Sequence, residues 1–203
     1  MYLKSEIKNI VSIDKAIHIY ALAFSSDPLH KFIFKNSKTR YQKVKQAYTF
    51  IVKKMVPHLN LAMKGIYIND ILAGCFIYTT NKSKTIWTEI LIKEAEKFRK
   101  KVGARYVKYI RQYASEVFKQ KPRYPHFYLN ELAVHPDYQG IGLGKKLMQY
   151  AENQCKKNLK CISTALDTAN PLNAEIYKRW GYRVYRKIGF YNLDVFCMRK
   201  RCK

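Results

Sequence analysis

The sequence predicts a single α/β domain. Three observations predict it: a length suited to one core, helical stripes interleaved with short β-rich runs, and a glycine-rich loop between a strand and a helix. The chain has 203 residues, of which 48% are hydrophobic, enough to bury one sizeable core and too many for disorder.

Residues 1–11 form a candidate opening strand. Ile13, Ala16, Ile17, Tyr20, Ala21 and Phe24 then recur at helical spacing, and Ser25-Ser26-Asp27-Pro28 breaks that helix. Val44, Ala47, Tyr48, Ile51, Val52 and Met55 make a second stripe with Lys and Arg between its members, and Pro57 is expected to end it. Residues 65–68 and 71–78 are β-rich and flank the turn pair Asn69-Asp70, which reads as an antiparallel hairpin. Residues 88–118 read as helix in two pieces broken near Gly103, followed by a loop over residues 119–125.

The second half is more informative. Residues 126–134 read as a strand and His135-Pro136-Asp137-Tyr138 as a turn. A helix follows over residues 145–159, with Leu147, Met148, Ala151 and Cys155 on one face. Residues 161–166 are a strand, and Asn170-Pro171-Leu172-Asn173 starts a short helix through Trp180. Gly181 suits the C-terminal cap of that helix, where a positive φ is needed. Residues 182–190 and 192–199 close the chain as two strands. No repeat, low-complexity tract or linker intervenes, so residues 1–203 are expected to form one domain.

Gln139-Gly140-Ile141-Gly142-Leu143-Gly144 carries the first chemical signal. Three glycines let the backbone approach a ligand and expose successive N–H groups. The loop opens a helix, whose first four N–H groups lack partners and whose dipole favours anions. Lys145 and Lys146 add positive charge, and a pyrophosphate is the natural occupant. A dinucleotide-binding fold wants Gly-x-Gly-x-x-Gly after the first strand, and a P-loop wants Gly-Lys-Ser or Gly-Lys-Thr. Here the spacing is Gly-x-Gly-x-Gly, the loop lies late, and Lys146 follows Lys145.

Residues 132–144, Leu-Ala-Val-His-Pro-Asp-Tyr-Gln-Gly-Ile-Gly-Leu-Gly, resemble the acetyl-CoA signature of the GNAT superfamily of N-acetyltransferases, Gln/Arg-x-x-Gly-x-Gly/Ala with its preceding strand. Residues 170–182 resemble a second motif of the family, in which Asn precedes a helix bearing Tyr, then Gly and an aromatic. The specific match covers residues 124–182, and the N-terminal half corresponds only in element order. His126-Phe127-Tyr128-Leu129 and the placement of Asn173 four residues before Tyr177 are similar to the puromycin N-acetyltransferase-like branch. The resemblance implies the GNAT fold, a mixed and mostly antiparallel central sheet of about six or seven strands flanked by helices. It also implies an acyltransferase that moves the acetyl group of acetyl-CoA to a primary amine, foremost that of a small molecule, without a metal.

Roles follow from the same resemblance. Leu132, Ala133 and Val134 offer backbone groups to the pantetheine arm, with the Leu132 N–H facing the thioester oxygen. Gln139, Gly140, Ile141, Gly142, Leu143, Gly144 and Lys145 hold the pyrophosphate through N–H groups. Asn170 and Asn173 are candidates to bond the CoA arm, and one of them can instead be the helix N-cap. Tyr177 is the candidate general acid, since a phenol with a pKa of about 10 is protonated at neutral pH. Glu131 is the candidate general base, with substrate-amine recognition as its rival role. His126 is an alternative base, and His135 reads as a turn residue. Residues 88–124 form a long connection that can shape the acceptor site, where Trp87, Phe98, Tyr106 and Tyr113 either line a pocket or pack helices onto the sheet.

Composition bounds the remaining classes. A net charge of +25 attracts anions, nucleic acid among them, but the basic residues are spread along the chain and read first as solvated lysine-rich surface. A non-catalytic acetyl-CoA-binding or nucleic-acid-associated module and a protein lysine or N-terminal acetyltransferase are the competing readings. The odd count of five cysteines without a Cys-x-x-Cys pair argues for reduced structural thiols rather than a disulfide framework or zinc site. No apolar run approaches the roughly 18 residues of a spanning helix, and the N-terminus lacks a signal-peptide pattern. A cytoplasmic monomer or homodimer is expected.

Overall fold

The computed structural model describes residues 4–80, 83 and 88–202. Seven strands form a single sheet among these residues: β1 (Ser5–Lys8), β2 (Ala62–Ile68), β3 (Ile71–Thr79), β4 (His126–Val134), β5 (Ser163–Thr168), β6 (Arg183–Phe190) and β7 (Leu193–Arg201), in the order β1-β2-β3-β4-β5-β7-β6. Among the described residues β4 and β5 alone run parallel, and every other neighbour is antiparallel. This is the mixed, mostly antiparallel α/β architecture that the resemblance implies.

Helices cover both faces. On one side α7 (Leu143–Lys157) and α8 (Pro171–Arg179) bury Leu147, Met148, Ala174 and Tyr177 against Ile66, Phe76, Leu129, Leu166 and Met198 of the sheet. On the other, α1 (Ile13–Ser25) and α3 (Ser37–Phe50) close over Cys75, Ile77 and Ala133 with Ala16, Ile17, Tyr20, Val44 and Tyr48. A third cluster joins α2 (Pro28–Ile33) and α6 (Ala104–Gln120) to Tyr128, Ala165 and Val195, while Leu91 of α5 (Glu89–Val102) packs on Phe50 and Leu59. The connection between α5 and α6 breaks at Gly103, whose φ is +96°, as expected.

Four local features depart from the sequence expectations. Among the described residues the opening strand is confined to Ser5–Lys8, residues 1–3 of the expected run lying outside them. Asp27 caps a short helix beginning at Pro28, so the break after α1 also starts α2. Pro57 does not end the third helix. The chain widens into a π turn over Ile51–Met55 and takes a further turn, α4 (Val56–His58), with Pro57 in its first positions, where the missing N–H has no partner to lose. Finally, Cys155 and Cys161 are disulfide-bonded, with Cα atoms 5.6 Å apart. The turn after α7, closed by the Cys161 N–H to the Asn158 carbonyl, brings Cys161 back beneath the helix, which spacing alone did not reveal. Cys75, Cys197 and Cys202 are free and buried.

The strand that positions the site is β4. It pairs with β5 only from His126 to Leu129, although it continues along β3 to Val134. Beyond Leu129 the two strands diverge and leave a gap in the middle of the sheet. The β3–β4 register also shifts between Ile77 and Tyr78, so that Asn130 has no partner. One unpaired residue inverts the inside–outside alternation of everything after it. Phe127 and Leu129 point toward α7 before the bulge, and Leu132 and Val134 do so after it. Glu131 and Ala133 are thereby turned to the α3 face.

Candidate active site

The loop after β4 is built for close approach. Gly140 and Gly142 have φ of +81° and +85°, conformations that L side chains rarely adopt. Gly142 is the N-cap residue of α7, so the unpaired N–H groups of the first turn open beside it. At Gly144 the constraint is different: a Cβ there would lie 3.3 Å from the Trp180 ring and 3.7 Å from Leu132. The helix start is thus pressed onto β4 and the end of α8. The Gln139 side chain is engaged within the protein, its Nε2 donating to the Val134 carbonyl at 3.0 Å and fixing the loop to the strand. Ile141 and Lys145 are exposed, whereas the Leu143 side chain is buried in the core. The cradle therefore presents backbone N–H groups and the Lys145 charge, a donor set that fits a pyrophosphate.

The gap beside β4 continues this surface. The His135 N–H donates to the Ala73 carbonyl on β3 at 2.8 Å. N–H directions alternate along a strand, so Ala133 also faces β3, while Leu132 and Val134 turn their N–H groups toward the gap. Of the three strand residues singled out by sequence, Leu132 and Val134 reach the open edge and Ala133 does not. Its side chain is buried against α1 and α3.

On the α3 face a cavity of about 1150 Å³ opens from this gap. Glu131, Leu132, Asn173 and Tyr177 line it, so it meets the strand edge and one face of α8 at one place. Asn173 and Tyr177 are one helical turn apart and share that face, whereas Asn170 is the N-cap of α8, its Oδ1 accepting from the Leu172 N–H at 3.0 Å. Phe98, Tyr106 and Tyr113 of α5 and α6 do both: they line the cavity and pack in the core, with Phe98 stacked on Phe50 and Tyr106 on Phe34. Trp87 lies outside the described residues.

The electrostatics centre on Glu131. Its Oε2 accepts a hydrogen bond from the Tyr48 hydroxyl at 2.7 Å. Burial pushes its pKa up to about 8, the Tyr48 hydrogen bond works against that rise, and the carboxylates of Asp167 and Asp27 reinforce it. Tyr177 is held well above the ordinary phenol value, first by burial and then by Asp167 and Glu131, so it keeps its proton at neutral pH. Its ring packs edge-on against Trp180, and its hydroxyl has no hydrogen-bond partner among the described residues. A proton acceptor poised near neutrality and a phenol that stays protonated thus share one cavity. His126 is elsewhere: its Nδ1 lies 2.8 Å from the Tyr124 carbonyl, and burial lowers its pKa. His135 accepts from the Asp137 N–H in the turn, as expected. Sequence reasoning missed Tyr48, the partner of Glu131, and Asp167. An acidic residue within the otherwise buried run Ser163–Thr168 was the available signal for the second.

Comparison with known proteins agrees with this geometry. The acetyltransferase (GNAT) domain family matches residues 88–191, half of the chain. No curated relative matches the sequence. Among solved structures, the histone acetyltransferase HPA2 and related acetyltransferase from Corynebacterium glutamicum superposes with a TM-score of 0.67 at 15% identity, covering 97% of this chain and 95% of that one. The C-terminal condensation domain of Ebony, in complex with beta-alanyl-dopamine, gives 0.63 at 8% identity over 98% and 99%. The ribosomal-protein-S18-alanine N-acetyltransferase from Escherichia coli gives 0.55 at 14% identity over 98% and 94%. At these identities the likeness is one of fold.

Two outcomes are expected. Gly142→Ala forces an L residue into the left-handed region at a cost of about 1–2 kcal/mol, and isothermal titration should read a weakening of CoA binding by about tenfold. Glu131 keeps its proton up to about pH 8 in the native state but loses it near 4.5 when unfolded. The native state therefore binds more protons across that window, and stability falls as pH rises through it. Urea denaturation of Glu131→Gln across the same range should show this slope flattened.

Proposed function

The chain belongs to the GNAT acetyltransferase family, and from that premise we propose that it acetylates a small-molecule primary amine by direct attack, with Glu131 as general base and Tyr177 as general acid. As a family member it is an acetyl-CoA-dependent N-acetyltransferase. The observation that carries the acceptor reading is the cavity itself, which has about 1150 Å³ of space walled by aromatic side chains and contains both Glu131 and Tyr177. That volume suits a whole small molecule better than one side chain of a protein surface.

The donor would be held along the gap by the N–H groups of Leu132 and Val134, at the cradle by residues 139–145, and by Asn173. Asn170 contributes by capping α8. When bound, acetyl-CoA supplies the acetyl thioester. Glu131 takes the proton that the ammonium must lose, since an alkylamine has a pKa of about 10.4 and is otherwise charged. The amine nitrogen then bonds to the thioester carbon, and the Leu132 N–H donates to the oxyanion that develops there. As the carbon–sulfur bond breaks, Tyr177 gives its proton to the departing thiolate, and the Tyr177 phenolate regains one from the former amine nitrogen, which leaves the neutral amide. A second reading, acetylation of a protein amine, is favoured by the resemblance in fold to the ribosomal-protein-S18-alanine enzyme.

A screen of amines and peptides by CoA release separates the two: turnover of peptides alone would overturn the small-molecule reading. Tyr177→Phe should lower kcat by about a hundredfold or more while leaving CoA affinity within about twofold. Unchanged kcat removes Tyr177 as the acid. The rate of the wild type should rise with pH toward a plateau above about 8, as Glu131 loses its proton. Glu131→Gln should abolish that limb, and a limb that stays in place removes Glu131 as the base.

A further inference from the structure

The cavity runs against the charge of the chain. The protein carries 39 Lys and Arg against 14 Asp and Glu. Yet three carboxylates, Asp27, Glu131 and Asp167, line the inner cavity, while Arg99, Arg111 and Glu96 are exposed at its mouth. Among the described residues the inner cation is Lys121, whose Nζ stands 3.8 Å from the centre of the Tyr128 ring and whose charge also acts on Asp167. Among the described residues neither Glu131 nor Asp167 forms an ion pair. Glu131 is bonded to Tyr48, and Asp167 receives the hydroxyls of Tyr113 and Tyr128. Asp27 is otherwise engaged, its Oδ1 accepting from the Leu29 N–H at 2.9 Å to cap α2.

Asp167 and Glu131 share a face of the sheet. Leu129 and Leu166 are register partners on β4 and β5, and both pack toward α7. The next residue on β5, Asp167, therefore points to the opposite side, where the bulge at Asn130 has also turned Glu131. A carboxylate accepts up to about four hydrogen bonds, and two phenols leave capacity for more. A second observation points to a polar ligand: His30 is 5% exposed, lines the same cavity, and its Nδ1 makes no hydrogen bond, with Asp27 Oδ1 3.8 Å away.

We infer that the acceptor is an alkyl diamine, with one amine reacting between Glu131 and Tyr177 and the second ammonium held by Asp167 beside the rings of Tyr113 and Tyr128. This rests on the small-molecule reading above. Burial opposes ionisation of both carboxyls, and Asp167 adds to that at Glu131; a dication stabilises the ionised form of both, whereas a monocation stabilises one. The ammonium has three donors for Asp167 and can approach an aromatic face, as the Lys121 ammonium already does at Tyr128. The methylene chain between the two amines would run along the aromatic wall. An amino-acid acceptor would instead bring its own carboxylate into a negative field. Asp167 is in this view a specificity-determining residue.

The test compares diaminobutane and diaminopentane with butylamine and pentylamine as acceptors, by CoA release. The wild type should favour each diamine over its matched monoamine in kcat/KM by about tenfold or more, the worth of a charged hydrogen bond. Asp167→Asn keeps an acceptor oxygen for the phenols but loses the charge, and should bring that ratio close to one. Because the ratio is taken within one variant, a loss of folded protein cancels. A wild-type ratio near one, a ratio unmoved by Asp167→Asn, or a preference for a lysine peptide overturns the diamine inference alone. Absence of CoA release with every amine overturns the small-molecule reading as well.

Discussion

The parting of β4 from β5 is the constraint on which the rest of the site depends. Two parallel strands that stayed paired would satisfy each other's backbone and leave no edge inside the sheet. Because pairing stops at Leu129 and Leu166, the N–H groups of Leu132 and Val134 face open space in the middle of the protein. Such groups are costly to leave buried without partners, so the gap demands either water or a ligand with polar groups along its length. The start of α7 is pressed against the same strand at Gly144, which makes the anion cradle and the strand edge one continuous surface. The cavity toward α3, α5 and α6 is the other outlet of the gap.

Charge divides the molecule along the same line. The outer surface is strongly basic, and the inner cavity holds carboxylates whose ordinary ionisation is opposed by burial and by one another. An anionic donor suits the outer cradle, and a cationic acceptor suits the interior. The phenols Tyr48, Tyr113 and Tyr128 hydrogen-bond these carboxyls and favour their ionised form against burial.

Much of the donor side was legible in the sequence because its signals are local. Gly140, Gly142 and Gly181 have the positive φ that their turns require, and Asn170 caps the helix its position suggested. Boundaries of β4 were also readable, since the run from His126 to Val134 is flanked by proline on both sides. The acceptor side was opaque for the opposite reason. Tyr48 meets Glu131 across 83 residues, and Asp167 meets Tyr113 across 54. Neither pair leaves a trace in spacing. The helical run passes Pro57 by one residue because the proline sits in the first turn of α4, and the Cys155–Cys161 bond depends on how tightly the chain reverses after α7.

The bulge at Asn130 acts as a parity switch. By adding one residue to β4 it sends alternate positions of a single strand to different faces: Leu132 and Val134 pack toward α7, and Glu131 and Ala133 turn toward α1 and α3. Substitutions in one set act on one face of the sheet and leave the packing of the other nearly untouched. An insertion or deletion at this point would exchange the two sets at a stroke. The strand thus tolerates drift in residue identity far better than drift in length.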